Sequence, residues 1–180
     1  MRENKRAQII SAAIECFSNK GYHAVSISEL AEFAGISKGL MYNYFKGKDE
    51  LLRCVFQETM DTMMNMFDPD KKGLMEKDDL RKYLERFFKH LKSNLILWKM
   101  YMAIFSQPAV QEILKDEIME ASKQPMEMIG SYFKSQGYKN PMVEVAFVST
   151  LFSGVVIEYI GDPENYPLDQ IKKRILNLYK

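Results

Sequence analysis

Two helix-start signals eleven residues apart, with a glycine between them, constrain this 180-residue chain most tightly. Ser26-Ile27-Ser28-Glu29 has the spacing of a capping box, in which a Ser hydroxyl and a Glu carboxylate satisfy each other's backbone amides. Gly35 supplies the left-handed turn residue that closes such a helix, and Ser37 is a second N-cap. Ile27, Leu30, Ala31 and Ala34 fall on one face of the first helix. Met41 and Phe45, four residues apart, fall on one face of the second. Ala31 is small enough for the two helices to approach closely. The segment from Ser26 to Phe45 is therefore a tightly turned helical pair.

The rest of the chain follows the same period. Ile10, Ala13 and Phe17 recur at helical spacing, as do Leu80, Leu84, Phe87, Leu91, Leu95 and Trp98. No sustained apolar/polar alternation and no Asn-Gly or Asp-Gly hairpin turn is present. The fold class is all-α, with about nine helices. Breaks fall at Gly21, Gly35, Gly47, Phe67–Lys77, Asn94, Ser106–Pro108, Gly137–Pro141 and Gly161–Pro167. Pro125 lies inside a helical run and predicts a kink. Short helices with tight turns precede Gly47 and long Met- and aromatic-rich helices follow it. This predicts a small N-terminal module over residues 1–47 and a larger helical body over 48–180, joined by the helix that begins at Lys48.

Composition closes several other routes. With 47% apolar residues the chain has the material for a core, and a net charge of +1 excludes a globally basic coat. Cys16 and Cys54 form no CxxC pair, which fits a reducing compartment. No signal peptide is visible, and the uncharged run from Val145 to Ile157 counts thirteen residues, short of a membrane crossing. A cytoplasmic protein with no membrane partner is expected. With two histidines, and no nucleophile elbow or phosphate-binding glycine loop, neither an enzyme nor a resident cofactor is expected. Asp68, Asp70, Gly73 and Asp79 imitate calcium-loop positions. Lys72 occupies a ligand position in that pattern, so the segment reads as a linker with no metal.

The outer face of the second helix of the pair carries Gly39, Tyr42, Asn43 and Lys46. Lys38, Lys46 and Lys48 add three positive charges between Ile36 and Lys48 with no acid among them. An Asn can read an adenine edge, a Lys can reach phosphate or guanine, and a glycine removes bulk where a helix must enter a groove. Tyr42 and Tyr44 offer phosphate donors. A helical hairpin with a merely solvated basic edge is the alternative that shape alone leaves open.

Gly21-Tyr22, Ser26 through Ala31, and the unbroken run from Gly35 to Leu51 resemble the signature of the tetracycline-repressor (TetR/AcrR) family. The resemblance covers roughly residues 5–55. It implies a homodimeric transcriptional regulator, and a repressor before an activator. Such a protein binds double-stranded operator DNA and is released by a small apolar effector. By the same resemblance Ser26, Ser37, Lys38, Gly39, Tyr42, Tyr44 and Lys48 face DNA. Leu40 stands where the family often carries Thr, and can meet a thymine methyl. Asn43 stands where His is frequent.

In the body, Phe87, Leu91, Trp98, Tyr101, Met102, Phe105, Met128 and Phe147 are the candidate effector-binding residues. Thirteen methionines favour an adaptable lining, although ordinary core packing accounts for the same pattern. Val148, Phe152, Val155 and Tyr159 form one apolar stripe, and Ile171 and Ile175 begin another. They are the candidate dimer interface, unless both stripes face their own core. The competing function is a small-molecule-binding or interaction protein that keeps the fold without using its helix pair on DNA.

Overall fold

A computed structural model describes residues 2–76 and 79–179. The described residues form ten helices and no strand. They are α1 (Arg2–Lys20), α2 (Ile27–Phe33), α3 (Lys38–Tyr42), α4 (Lys48–Phe67), α5 (Asp79–Ser93), α6 (Leu95–Phe105), α7 (Pro108–Ile113), α8 (Lys115–Ser135), α9 (Pro141–Gly161) and α10 (Leu168–Leu178). The helix beyond the expected nine arises at Leu114, whose backbone leaves helical geometry (φ −104°, ψ 13°) and divides α7 from α8. Pro125 lies within α8 without dividing it.

The chain forms two compact units. The first comprises Met1–Asp61 with Ile96–Ile118, and the second Thr62–Leu95 with Met119–Lys180. α6, α7 and most of α4 share the first unit with the short N-terminal helices.

In the first unit, Ile9, Ala13, Phe17, Leu30, Ala31, Met41, Phe45, Leu51, Leu52, Val55 and Phe56 are buried. They come from α1, α2, α3 and α4 at the spacings read from the sequence. Burial of a side chain of this size contributes about 1.5–3 kcal/mol, so these residues dominate the unit's stability. Gln8 Nε2 donates to the Ala34 carbonyl (2.9 Å), tying α1 to the end of α2. At the other end of α1, a Cβ built on Gly21 would lie 3.7 Å from Gln107 Nε2. The α6–α7 corner thus sits against the end of α1. Arg53 of α4 pairs with Glu117 of α8.

In the second unit, Leu80, Leu84, Phe87, Phe88 and Leu91 of α5 are buried, as are Val145, Val148, Val155 and Val156 of α9. Phe152 of α9 lies over Phe87 (4.4 Å between ring centroids) and meets Tyr83 edge-on (5.5 Å). Lys92 pairs with Asp169 across α5 and α10 (2.9 Å). Arg86 donates to the carbonyls of Met66 and Phe67, which have no partner further along α4.

The calcium-like loop closes on itself. The buried Asp68 carboxylate accepts from the amides of Lys72 (3.0 Å) and Gly73 (2.8 Å), while Asp79 accepts from Glu76 (2.8 Å). Among the described residues no cluster could hold a metal ion. His90 of α5 is half-buried, and burial lowers its pKa. The thirteen-residue run counted in α9 lies within a 21-residue helix. By length and composition alone, that helix is apolar enough to cross a membrane.

Candidate nucleic-acid interface

The helix pair is built as its residues dictate. Ser26 has extended backbone (φ −91°, ψ 158°). Its hydroxyl accepts from Glu29 N (3.2 Å), while Ser26 N donates to Glu29 Oε2 (2.8 Å). That amide bond, then the bond to the Ser26 side chain, holds the Glu29 carboxyl below its ordinary pKa. Gly35 takes φ +64°. Its amide and that of Ile36 then reach back to the carbonyls of Glu32 (3.0 Å) and Ala31 (2.9 Å). These are the two bonds of a Schellman closure, which only a residue tolerant of positive φ makes without strain. Ser37 Oγ accepts from Leu40 N (3.1 Å) and starts α3.

α3 is shorter than the spacing predicts, ending at Tyr42 with Asn43 as its C-cap. Phe45 N still donates to Met41 O (3.1 Å), so the helical turn carries on through the cap. Met41 and Phe45 are buried, and this anchors α3 on the core by one face.

The opposite face is bare. Ser26, Ser37, Lys38, Gly39, Asn43 and Lys46 are exposed, Tyr42 is 49% exposed, and Leu40, Tyr44 and Lys48 are half-buried. Each of the candidate DNA residues is thus at least partly accessible. Among the described residues none of the Lys38, Lys46 and Lys48 ammoniums has a carboxylate within 4.0 Å. Residues 1–53 carry eight Lys and Arg against six acids, a net +2. A Cβ added at Gly39 would meet nothing within 4 Å, so its lack of a side chain leaves open space rather than serving the fold.

Sequence reasoning missed Tyr22 here. This buried ring carries the Lys48 ammonium 4.2 Å from its centroid, and its hydroxyl donates to Asp49. Burial, followed by the bond to Asp49, raises the Tyr22 pKa. Burial lowers that of Lys48, against the pull of Asp49 and Glu29. Tyr22 and Lys48 are 26 positions apart, beyond any local pattern.

The candidate effector residues divide between the units. In the first, Trp98, Tyr101 and Phe105 form an aromatic ladder along α6, with centroids 5.8 Å and 4.5 Å apart, and Met102 is half-buried beside them. Burial raises the Tyr101 pKa. In the second, Phe87, Leu91 and Met128 are buried, and Phe147 is 47% exposed.

The candidate dimer residues lie in the second unit. Val148, Val155 and Ile175 are buried against their own protomer, and Phe152, Tyr159 and Ile171 are half-buried. The apolar side chains that α9 leaves outward are others: Met142, Val143, Phe147 and Ile157. α9 is apolar on nearly every side, so its periodicity could not select the outward face.

A capped helix pair, anchored by one face and carrying exposed lysines on the other, is the architecture of a helix-turn-helix module. Residues 9–55 match the profile of the family described as bacterial regulatory proteins, tetR family. Over 91 residues the chain is 34% identical to the fatty acid metabolism regulator protein of Bacillus subtilis, covering 50% of this chain and 47% of that one. Over 115 residues it is 33% identical to the HTH-type transcriptional activator FasR of Mycolicibacterium smegmatis, covering 62% and 50%. The chain thus spans about half the length of these curated relatives. The fold matches that of the transcriptional regulator FadR from Bacillus subtilis, solved in complex with stearoyl-CoA. The TM-score is 0.76 at 22% identity, over 96% of both chains. Residues 9–55 thus resemble the N-terminal module of the tetR family of bacterial regulatory proteins, and the likeness of the rest of the chain is one of fold.

Proposed function

We propose that the chain is a transcriptional regulator that binds operator DNA through α3 as a homodimer and is released by an apolar small-molecule effector. The observation that carries this reading is the outer face of α3, along a stretch with no acid between Ile36 and Lys48. Lys38, Gly39, Tyr42, Asn43, Lys46 and Lys48 are accessible there, while Met41 and Phe45 fix the helix from behind. In this reading Asn43 contacts base edges, Leu40 meets a thymine methyl, and Ser26, Ser37, Lys38, Tyr42, Tyr44, Lys46 and Lys48 hold phosphates. Two modules read half-sites about 34–36 Å apart, one helical turn.

The dimer forms through α9 and α10. Support comes from Val143, Phe147 and Ile157 standing outward beside the exposed Ser153 and Gly154, which admit a close partner helix. The effector carries a long apolar chain, and a long-chain acyl thioester is the first candidate. The solved FadR from Bacillus subtilis holds stearoyl-CoA, and the α6 ladder offers aromatic faces and a methionine to such a chain. α6 shares its unit with the helix pair, and the α6–α7 corner abuts Gly21. Displacing α6 therefore presses on the end of α1. A coupling of about 1–3 kcal/mol between effector and operator corresponds to roughly 5–150-fold weaker DNA binding.

The test is selection of duplexes from a random library by the purified protein, followed by fluorescence anisotropy with and without stearoyl-CoA. Recovery of an inverted repeat whose binding stearoyl-CoA weakens is expected. Failure to enrich any sequence would favour an interaction protein that keeps the fold but does not use its helix pair on DNA.

A further inference from the structure

Lys48 begins α4 at the edge of the DNA-facing surface, and its ammonium rests on an aromatic ring rather than on a carboxylate. The ring is fixed from three sides. Phe17 meets it edge-on at 5.4 Å, His23 at 5.2 Å, and its hydroxyl is held by Asp49. An aromatic face attracts a cation through its quadrupole without cancelling the charge. A carboxylate in the same place would neutralise the ammonium and compete with any phosphate.

We propose that Tyr22 is the positioning residue for Lys48: its ring holds the ammonium in place, charged and unpaired, before DNA arrives. This rests on the reading of Lys48 as a phosphate contact. A free lysine side chain loses rotamer freedom when it grips a phosphate. On the Tyr22 ring much of that freedom is already gone, so the loss is not charged to binding.

The test is a double-mutant cycle read by fluorescence anisotropy on two probes. One is the duplex recovered by selection, and the other is a mixed-sequence duplex of the same length. A phosphate contact is independent of sequence, so both must respond. Tyr22→Leu is expected to weaken binding roughly three- to tenfold per module, the size of one side chain's ordering cost. Placed on Lys48→Ala, the same change is expected to alter affinity less than about twofold, because nothing remains to be positioned. Tyr22→Phe keeps the ring and is expected to stay within about twofold of the parent. Equal losses from Tyr22→Leu in both backgrounds would overturn the proposal and assign Tyr22 to the fold alone. An unaffected Lys48→Ala would instead remove Lys48 from the DNA contacts, and the positioning role with it. If Tyr22→Leu does not fold, the unsubstituted protein decides by NMR. The Lys48 ε-methylene protons should be shifted upfield by the ring current, and unshifted protons would overturn the proposal.

Discussion

Gly39→Ala separates use of the helix pair on DNA from mere possession of it. Gly39 is the second residue of α3, its φ lies outside the left-handed region, and a Cβ there meets nothing within 4 Å. In the free protein the added methyl therefore causes no clash. Alanine is better than glycine by about 1 kcal/mol in a helix interior. At the second position of a five-residue helix we expect roughly half of that. At about 2–4 °C per kcal/mol for a chain of this size, Tm should rise by about 1–2 °C. In the proposed complex the same methyl would point toward the groove that α3 enters. Forcing the helix outward by one methyl strains neighbouring base contacts worth about 1–3 kcal/mol each, or roughly 5–150-fold in affinity per module. Thermal melting and fluorescence anisotropy on one preparation read both quantities. A raised Tm with unchanged DNA affinity would show that α3 does not enter a groove at Gly39. A Tm lowered by several degrees would show that the space at Gly39 is not open.

Three further outcomes follow from the same geometry. The Glu29 carboxyl is held below its ordinary value of 4.5, first by the Ser26 amide, so its contribution is present above that value and fades as pH falls through the lowered pKa. Urea midpoints at neutral and acid pH should fall further in the parent than in Glu29→Gln, which keeps a side-chain acceptor at the capping position while the lowered carboxyls of Asp79, Glu117 and Asp169 act in both. Ile157→Glu, on the outward face of α9, should yield a folded monomer by light scattering at micromolar concentration, because a dimer would bury its charge unpaired; a persistent dimer would move the interface elsewhere. Tyr101→Ala should abolish the response to stearoyl-CoA while leaving DNA affinity in place, and calorimetry with and without operator should show effector affinity changed by the same factor as DNA affinity.

Legibility in the sequence tracks the range of the interactions. Capping at Ser26 and Ser37 and closure at Gly35 depend on residues within five positions, and all three are readable as strings. The buried faces of α1 and α5 are readable because their apolar residues are confined to one stripe. α9 is not, because a helix apolar all round has no stripe to read, and Val148 and Val155 face their own core. The break at Leu114 is hidden too: no glycine or proline marks it. The grouping of α6 and α7 with the helix pair depends on contacts such as Gly21 with Gln107 and Arg53 with Glu117, whose partners are many tens of positions apart.

The modest charge of the module links its DNA face to the outward face of α9. If Lys38, Lys46 and Lys48 each neutralise one phosphate, three contacts give a salt slope of about −2.7 in log affinity against log salt, and six give about −5. A single module with a net +2 would hold DNA weakly and would lose most of that hold at physiological salt. Two modules fixed one helical turn apart convert the second engagement into an intramolecular event, which raises affinity without any new contact. In the proposed complex the face of α3 therefore gains its affinity from dimerisation, and a dimer that set the two copies of α3 at another spacing would gain nothing. A measured slope near −5 for the parent, falling to about −2.7 in Ile157→Glu, is the expected signature. A parent slope near −2.7 would mean that only one module touches the duplex, and the dimeric reading of the DNA site would fail with it.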